Sequence, residues 1–200
     1  MRAPTVHLVR HGESTWHLDG RVQGQYAGPG EPVLTTKGEE QARAAGRLLA
    51  ARLDEPASAR VVASDLARAV ASARLVAQEL GLDPSAVRLE PAWREQHLGT
   101  MEASRAADLA PEPAPDGVDI SEVAWGGGES MRQVHTRVAA WLTGGRGAPG
   151  VQEPGELVVV SHEHTIRAAL AVLRGLTWRE VDWDEPIPPG AVLSTRRRSR

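Results

Sequence analysis

"ELVVVSHEHTIRAALAVLRGL", residues 156–176, begins as an unbroken apolar run, turns on a serine and a histidine, and continues as a helix pattern with an apolar stripe. A strand that is apolar without alternation is buried on both faces, the condition of a central strand in a parallel sheet. A helix directly after it folds back over that sheet. The same order recurs along the chain. "TVHLVRH" (5–11) predicts a strand ending near residue 10. "ARVVAS" (59–64) predicts a second, followed by the helix "DLARAVASARLVAQELG" (65–81) with Gly81 as its terminator. "AVRLEP" (86–91) is a third strand candidate, and "AVLST" (191–195) a short one that closes the sheet. "TKGEEQARAAGRLLAARL" (36–53) reads as a helix with Thr36 and Glu39 at capping-box spacing and an apolar stripe through Leu48, Leu49 and Leu53. "SMRQVHTRVAAWLT" (130–143) is a further helix, while "GQYAGPGEPV" (24–33) and "GGRGAPGVQEPG" (144–155) are loop and link. Strands alternating with helices predict an α/β fold: a three-layer sandwich with a mostly parallel central sheet flanked by helices. One domain is expected over 1–195, with a lid excursion at 103–128 and a basic tail, "RRRSR", at 196–200 that is solvated and disordered.

Composition narrows the function. Two hundred residues suit one core, and 41% apolar with 24% charged residues is an ordinary globular balance. A net charge of −3 offers no field for nucleic acid. No run approaches the roughly 18 apolar residues of a membrane span, and the opening residues lack signal-peptide architecture. Cysteine is absent, which removes disulfides and thiolate zinc sites. The expected protein is cytoplasmic, with neither nucleic acid nor membrane as partner, and nothing marks an oligomer interface. Without Phe, the core must rest on Leu, Val and Ala, with Trp as its main aromatic.

In a parallel sheet, ligands sit beyond the carboxyl ends of the strands. Three strand ends deliver Arg10 and His11, then Ser64 with Arg68 one helical turn on, then Ser161 and His162. Arginine offers a planar fork that matches two phosphate oxygens. A histidine beside such cations stays neutral and can attack phosphorus, and fixed cations stabilise the spread charge of the transferring group. The departing alkoxide needs an acid, and Glu95 follows the third predicted strand on the same edge.

"LVRHGESTW" (8–16), "SDLARAVASA" (64–73), "REQHLGTMEA" (94–103) and "VVVSHEHTIR" (158–167) occur in this order. Together they resemble the histidine phosphatase superfamily in its phosphoglycerate-mutase-like branch, over residues 6 to about 175. The resemblance implies a phosphoglycerate-mutase-like fold and a small-molecule phosphomonoester substrate, with a sugar phosphate among the candidates. It implies that His11 is the phosphorylated nucleophile, that Arg10, Arg68 and His162 clamp the phosphate, and that Glu95 is the proton donor and later the base. Gln23 and Gly24 match a loop over the substrate phosphate, with Arg21 close by, and Gly12 allows close backbone approach. No metal or organic cofactor is expected.

Three departures stand out. His17 occupies a position where the family commonly has a phosphate-holding Asn, and is expected to titrate near neutrality. Glu163 replaces a usual Gly after the second histidine; it lies against the phosphate or pairs with a cation, and it rivals Glu95 as proton donor by likeness to the acid phosphatase branch. Residues 102–129 carry seven acids (Glu102, Asp108, Glu112, Asp116, Asp119, Glu122, Glu129) against Arg105, where the mutases have a basic segment. A lid of that sign repels a second phosphate and favours hydrolysis. The rival readings are a phosphoglycerate mutase, a catalytically weak phosphate-binding regulator, and a metal-dependent hydrolase using His162 and His164. Among the remaining side chains, His7 is expected in the core or at a sheet edge, and His135 is structural. Trp16 and Trp93 are expected as pocket walls, and Trp125 as packing anchor or substrate platform. Whether His97 lines the pocket stays open.

Overall fold

The computed structural model describes residues 5–109, 114–144, 155–183 and 185–196. Most of the expected link (145–154), part of the lid (110–113, with Glu112) and the tail beyond Arg196 lie outside the described residues.

Five strands form one sheet in the order β3-β2-β4-β1-β5: β1 (Thr5–Arg10), β2 (Arg60–Ala63), β3 (Arg88–Leu89), β4 (Glu156–Ser161) and β5 (Val192–Arg196). β1, β4, β2 and β3 run parallel, and β5 closes the sheet antiparallel to β1. β4 is central, as its unbroken apolar run requires. Its alternate side chains feed both cores: Leu157 and Val159 pack with helices α4 (Met131–Leu142) and α5 (Glu163–Arg174), while Val158 and Val160 pack with α2 (Thr36–Ala50) and α3 (Ala67–Glu79); α1 is the short turn Thr15–Leu18. Burying one such valine stabilises the fold by about 1.5–3 kcal/mol. The helices pair as α2 with α3 and α4 with α5, one pair on each face, giving three layers. Register sets the working edge, because Arg10 lies opposite Ser161, and Ala63 opposite Val160.

Three local expectations shift. The cap of α2 is Thr35, whose Oγ1 accepts from Gly38 N at 3.0 Å. The Thr36–Glu39 spacing places it one residue late, because Thr35 is also tied to Glu13: its hydroxyl lies 3.0 Å from Glu13 Oε1. Leu49 and Leu53 are buried, but Leu48 faces solvent, so the stripe is narrower than expected. The third strand shrinks to Arg88–Leu89, paired at the sheet edge with β2. His7 is a buried link across three neighbouring strands, with Nδ1 at 2.8 Å from Ser194 Oγ and Nε2 at 2.8 Å from Glu156.

The link between β1 and the rest depends on glycine. A Cβ on Gly12 would lie 2.0 Å from Gly38 O, and a Cβ on Gly38 would lie 2.0 Å from Glu13 O. The loop after β1 and the first turn of α2 therefore touch backbone to backbone. Gly12 answers a packing need here, where the sequence suggested approach to a ligand.

The excursion after Glu95 is a chain of single 3₁₀ turns: Gly99–Met101, Ala106–Asp108, Ile120–Glu122 and Trp125–Gly127. Its first part is bonded to the 20–24 loop, through Val22 N to Ser104 O and Ala103 N to Val22 O, both 2.9 Å.

Candidate active site

Beyond the carboxyl ends of β1, β2 and β4 lies a cavity of about 180 Å³. Arg10, His11, His17, Arg21, Gln23, Gly24, Arg68, Glu95, Glu163 and His164 line it, with Val22 and Leu98 as its apolar wall. Of the expected site residues, Gly12 and His162 stand just behind this lining. Gly12 N donates to Ser72 Oγ at 3.1 Å, and the His162 ring meets the His11 ring edge-on at 5.0 Å.

His11 is 3% exposed. Its Nδ1 lies 2.7 Å from the Gly12 carbonyl. A carbonyl only accepts, so the proton sits on Nδ1 and Nε2 keeps its lone pair. Burial holds the His11 pKa well below its usual range, and the Arg68 and Arg10 charges push it further down. His162 is lowered by the same causes, burial first and then Arg68 and His11. Its Nε2 is 2.9 Å from Ser64 Oγ; when the Ser64 hydroxyl donates to Nε2, the proton of the neutral ring lies on Nδ1. Ser64 is a site residue that sequence reading treated only as a strand end. Its position at the close of "ARVVAS" was the available signal.

The arginines are buried donors. Arg68 is 1% exposed, and its Nη2 donates to Gly24 O at 2.7 Å. Burial lowers its pKa to about 10, so it is charged at neutral pH. Arg10 has its Nη1 on Ile187 O and on Glu163 Oε2. Arg10 Nε, Arg68 Nε and Nη1, and His162 Nδ1 are buried without a hydrogen-bond partner among the described residues. Buried polar groups are costly to leave unpaired, and this set, gathered from three strand ends, is one that an anion could satisfy.

His17 departs from its expectation. Its pKa falls to about 4, through burial and then the charges of Arg10 and Arg68, so it is neutral through the physiological range. Its Nδ1 accepts from Ser14 N at 2.9 Å. Nε2 therefore carries the proton, and it faces Arg10 Nη2 at 3.2 Å, donor toward donor. An oxyanion accepting from both satisfies that pair.

Glu95 lies at the start of α5, near the backbone N–H groups of His164 and Thr165 at 3.4 and 3.3 Å, and 2.9 Å from Gln96 N. Glu163 reaches Arg10 at 2.8 Å and Arg167 at 3.0 Å, the second of the two arrangements considered for it.

Trp93 and Trp16 are not pocket walls. Trp93 is fully buried against Trp141, and Trp16 is buried against Tyr26, because each turns inward from its short helical turn. His97 lies outside the lining, half exposed. His162 and His164 turn to different partners, Ser64 and Trp183. No group of three or more metal-ligating side chains occurs among the described residues. The lid is less acidic in effect than in count: Glu129 pairs with Arg137, and Asp119 and Glu122 with Arg179.

Three depressed histidines make stability depend on pH. Each binds its proton more readily in the unfolded chain, near 6.5, than in the fold. Their contribution is present above 6.5 and is lost as pH falls below it, by about 1.4 kcal/mol per pH unit for each proton. Chemical denaturation at pH 7, 6 and 5 should show stability falling more steeply from pH 6 to 5 than from pH 7 to 6, and His17→Asn should reduce the slope below pH 6 by about one proton. An unchanged slope would refute the assignment for His17.

Residues 6–196 match the family model described as histidine phosphatase superfamily, branch 1. The chain is 33% identical over 175 residues to a probable phosphoglycerate mutase GpmB of Photorhabdus laumondii, covering 86% of this chain and 75% of that protein. Among solved structures it is similar to a mycobacterial glucosyl-3-phosphoglycerate phosphatase complexed with VO3, at 27% identity and TM-score 0.74, covering 97% of this chain and 90% of that one. It is also similar to a putative alpha-ribazole-5'-P phosphatase of Escherichia coli K-12, at 25% identity and TM-score 0.74, over 98% and 95%.

Proposed function

The chain belongs to branch 1 of the histidine phosphatase superfamily, and from that premise we propose that it hydrolyses a small phosphomonoester through a phosphohistidine on His11. The observation that carries the reading is the Nε2 lone pair of a buried neutral imidazole beside unpaired N–H donors of Arg10, Arg68 and His162.

In this reading the phosphate is held by the free edges of the two guanidiniums, His162 Nδ1–H and His17 Nε2–H. His11 Nε2 attacks phosphorus and the P–O bond to the leaving group breaks. Glu95 gives its proton to the departing oxygen. Glu95 then takes a proton from water, the resulting hydroxide attacks phosphorus, and the N–P bond breaks to release phosphate and neutral His11. Fixed cations supply the charge stabilisation, so we propose that no metal is needed.

The names of the curated relatives favour a second reading, a phosphoglycerate mutase. Hydrolysis is preferred because, among the described residues, Arg21 is the one arginine or lysine lining the cavity besides the Arg10–Arg68 pair, which leaves little positive charge for a second phosphate. Sugar phosphates lead the candidate substrates, since the rim combines the apolar Val22 and Leu98 with carboxylates. A panel of p-nitrophenyl phosphate, sugar phosphates and phosphoglycerates, run with excess chelator, tests these proposals. Release of inorganic phosphate is the expected result. Isomerisation of phosphoglycerate without release would establish the mutase, and activity lost to chelator and restored by a divalent cation would overturn metal independence.

A further inference from the structure

Glu163 stands where the family resemblance calls for a glycine, and the structure gives it two partners of the same charge. Its Oε2 holds Arg10 Nη1 at 2.8 Å, and its Oε1 holds Arg167 Nη2 at 3.0 Å, one turn along α5. Arg167 is itself fixed: its side chain is 6% exposed, Nη1 donates to Asp182 O, and its guanidinium lies over Trp183 at 5.6 Å. Arg167 does not line the cavity.

The division of labour on Arg10 is informative. A guanidinium presents hydrogen-bonding edges in fixed geometry. Glu163 and Ile187 O occupy Nη1, while among the described residues Nε has no partner and Nη2 faces the donor Nε2 of His17. The carboxylate therefore takes none of the donors that a phosphate would use. Each of its oxygens is engaged by a guanidinium, Oε1 accepting from Arg167 Nη2 and Oε2 ion-paired with Arg10 Nη1, which leaves it poorly placed to hand a proton to a leaving group.

We propose that Glu163 is a positioning residue, anchored by Arg167, which fixes Arg10 by Nη1 and so presents the Nε–Nη2 edge to the transferring phosphoryl group. This rests on the reading of the cavity as a phosphate clamp. An acid near the site also repels any bound anion, and that effect has the opposite sign to loss of positioning. The two separate in a ratio. Charge moves inorganic phosphate and vanadate together. Positioning moves vanadate more, because vanadate adopts the five-coordinate geometry of the transition state and depends on donor placement.

The experiment measures binding of inorganic phosphate and of vanadate by calorimetry, and kcat on p-nitrophenyl phosphate and on an alkyl phosphate. The variants are Glu163→Gln, Glu163→Asp, Arg167→Gln and the double variant Glu163→Gln/Arg167→Gln, with folding checked by circular dichroism. Glu163→Gln and Glu163→Asp should each lower the preference for vanadate over phosphate about tenfold, Arg167→Gln about threefold, and the double variant no more than Glu163→Gln alone. The kcat loss should be equal on both esters. Glu163→Asp keeps the charge but withdraws the carboxylate, so wild-type behaviour in that variant would overturn positioning in favour of charge. Parallel movement of both anions would do the same. A kcat loss confined to the alkyl ester would make Glu163 the proton donor. Wild-type protein that binds neither anion would overturn the clamp and this proposal together. Wild-type protein that binds both anions yet releases no phosphate from any ester would end the hydrolysis reading alone, and the ratio would still decide the role of Glu163.

Discussion

Replacing His11 by Asn should lower kcat by at least about 10⁴-fold, roughly 5.5 kcal/mol of transition-state stabilisation. It should also abolish the phosphoenzyme formed from radiolabelled substrate. Asparagine can keep the donor bond to the Gly12 carbonyl that His11 Nδ1 makes at 2.7 Å. What it lacks is the second nitrogen with its lone pair, so the loss falls on covalent chemistry. The arginine donors remain, and phosphate should bind the variant within a few-fold of wild type. The label on wild-type protein should be stable in base and lost in acid, as a phosphoramidate is. Turnover above a tenth of wild type, or a label that persists in the variant, would move the nucleophile elsewhere.

Glu95→Gln should act differently on different esters. An alkyl phosphate leaves as a strong base and needs the proton, so its phosphorylation step should slow by about 10²–10³-fold. p-Nitrophenolate leaves without help. With that ester the first step should stay fast and water attack on the phosphohistidine, which also needs Glu95, should become limiting. The signature is a burst of p-nitrophenol equal to the enzyme concentration, followed by slow release. Equal slowing of both esters with no burst would remove Glu95 from the proton-transfer role. Glutamine retains the side-chain oxygen that faces Thr165 N and Gln96 N, so the change is one of proton supply more than of packing.

The sheet was legible because its signal is local. The unbroken "LVVV" of β4 and the strand-end polar residues locate the layers and the working edge with no knowledge of contacts. The two-residue β3 was not legible as such, because its length depends on how much of β2 it can pair with. For the site, sequence placed the arginines and histidines on one edge, and the structure gathers them around one cavity. Their protonation was harder. His17 reads as a near-neutral titrator until its burial and two neighbouring guanidiniums are known, and these bring it to about 4. The acidic lid shows the same limit: acids can be counted in a sequence, but Arg137 and Arg179, which neutralise part of that charge, lie beyond the segment. Ser64 was placed at a strand end but given no role, because its partner is not visible in the sequence. Its importance comes from the His162 ring 2.9 Å away and 98 residues on.

The backbone contact between Gly12 and Gly38 bears on how this chain can be recombined with its relatives. A chimera with its junction anywhere between residues 14 and 37 takes one side of that contact from each parent. Two parents each well packed on their own can then produce a hybrid whose nucleophile loop no longer seats, even though every helix and strand survives. Crossovers placed after α2 keep the two glycines in one inherited block and so preserve this contact.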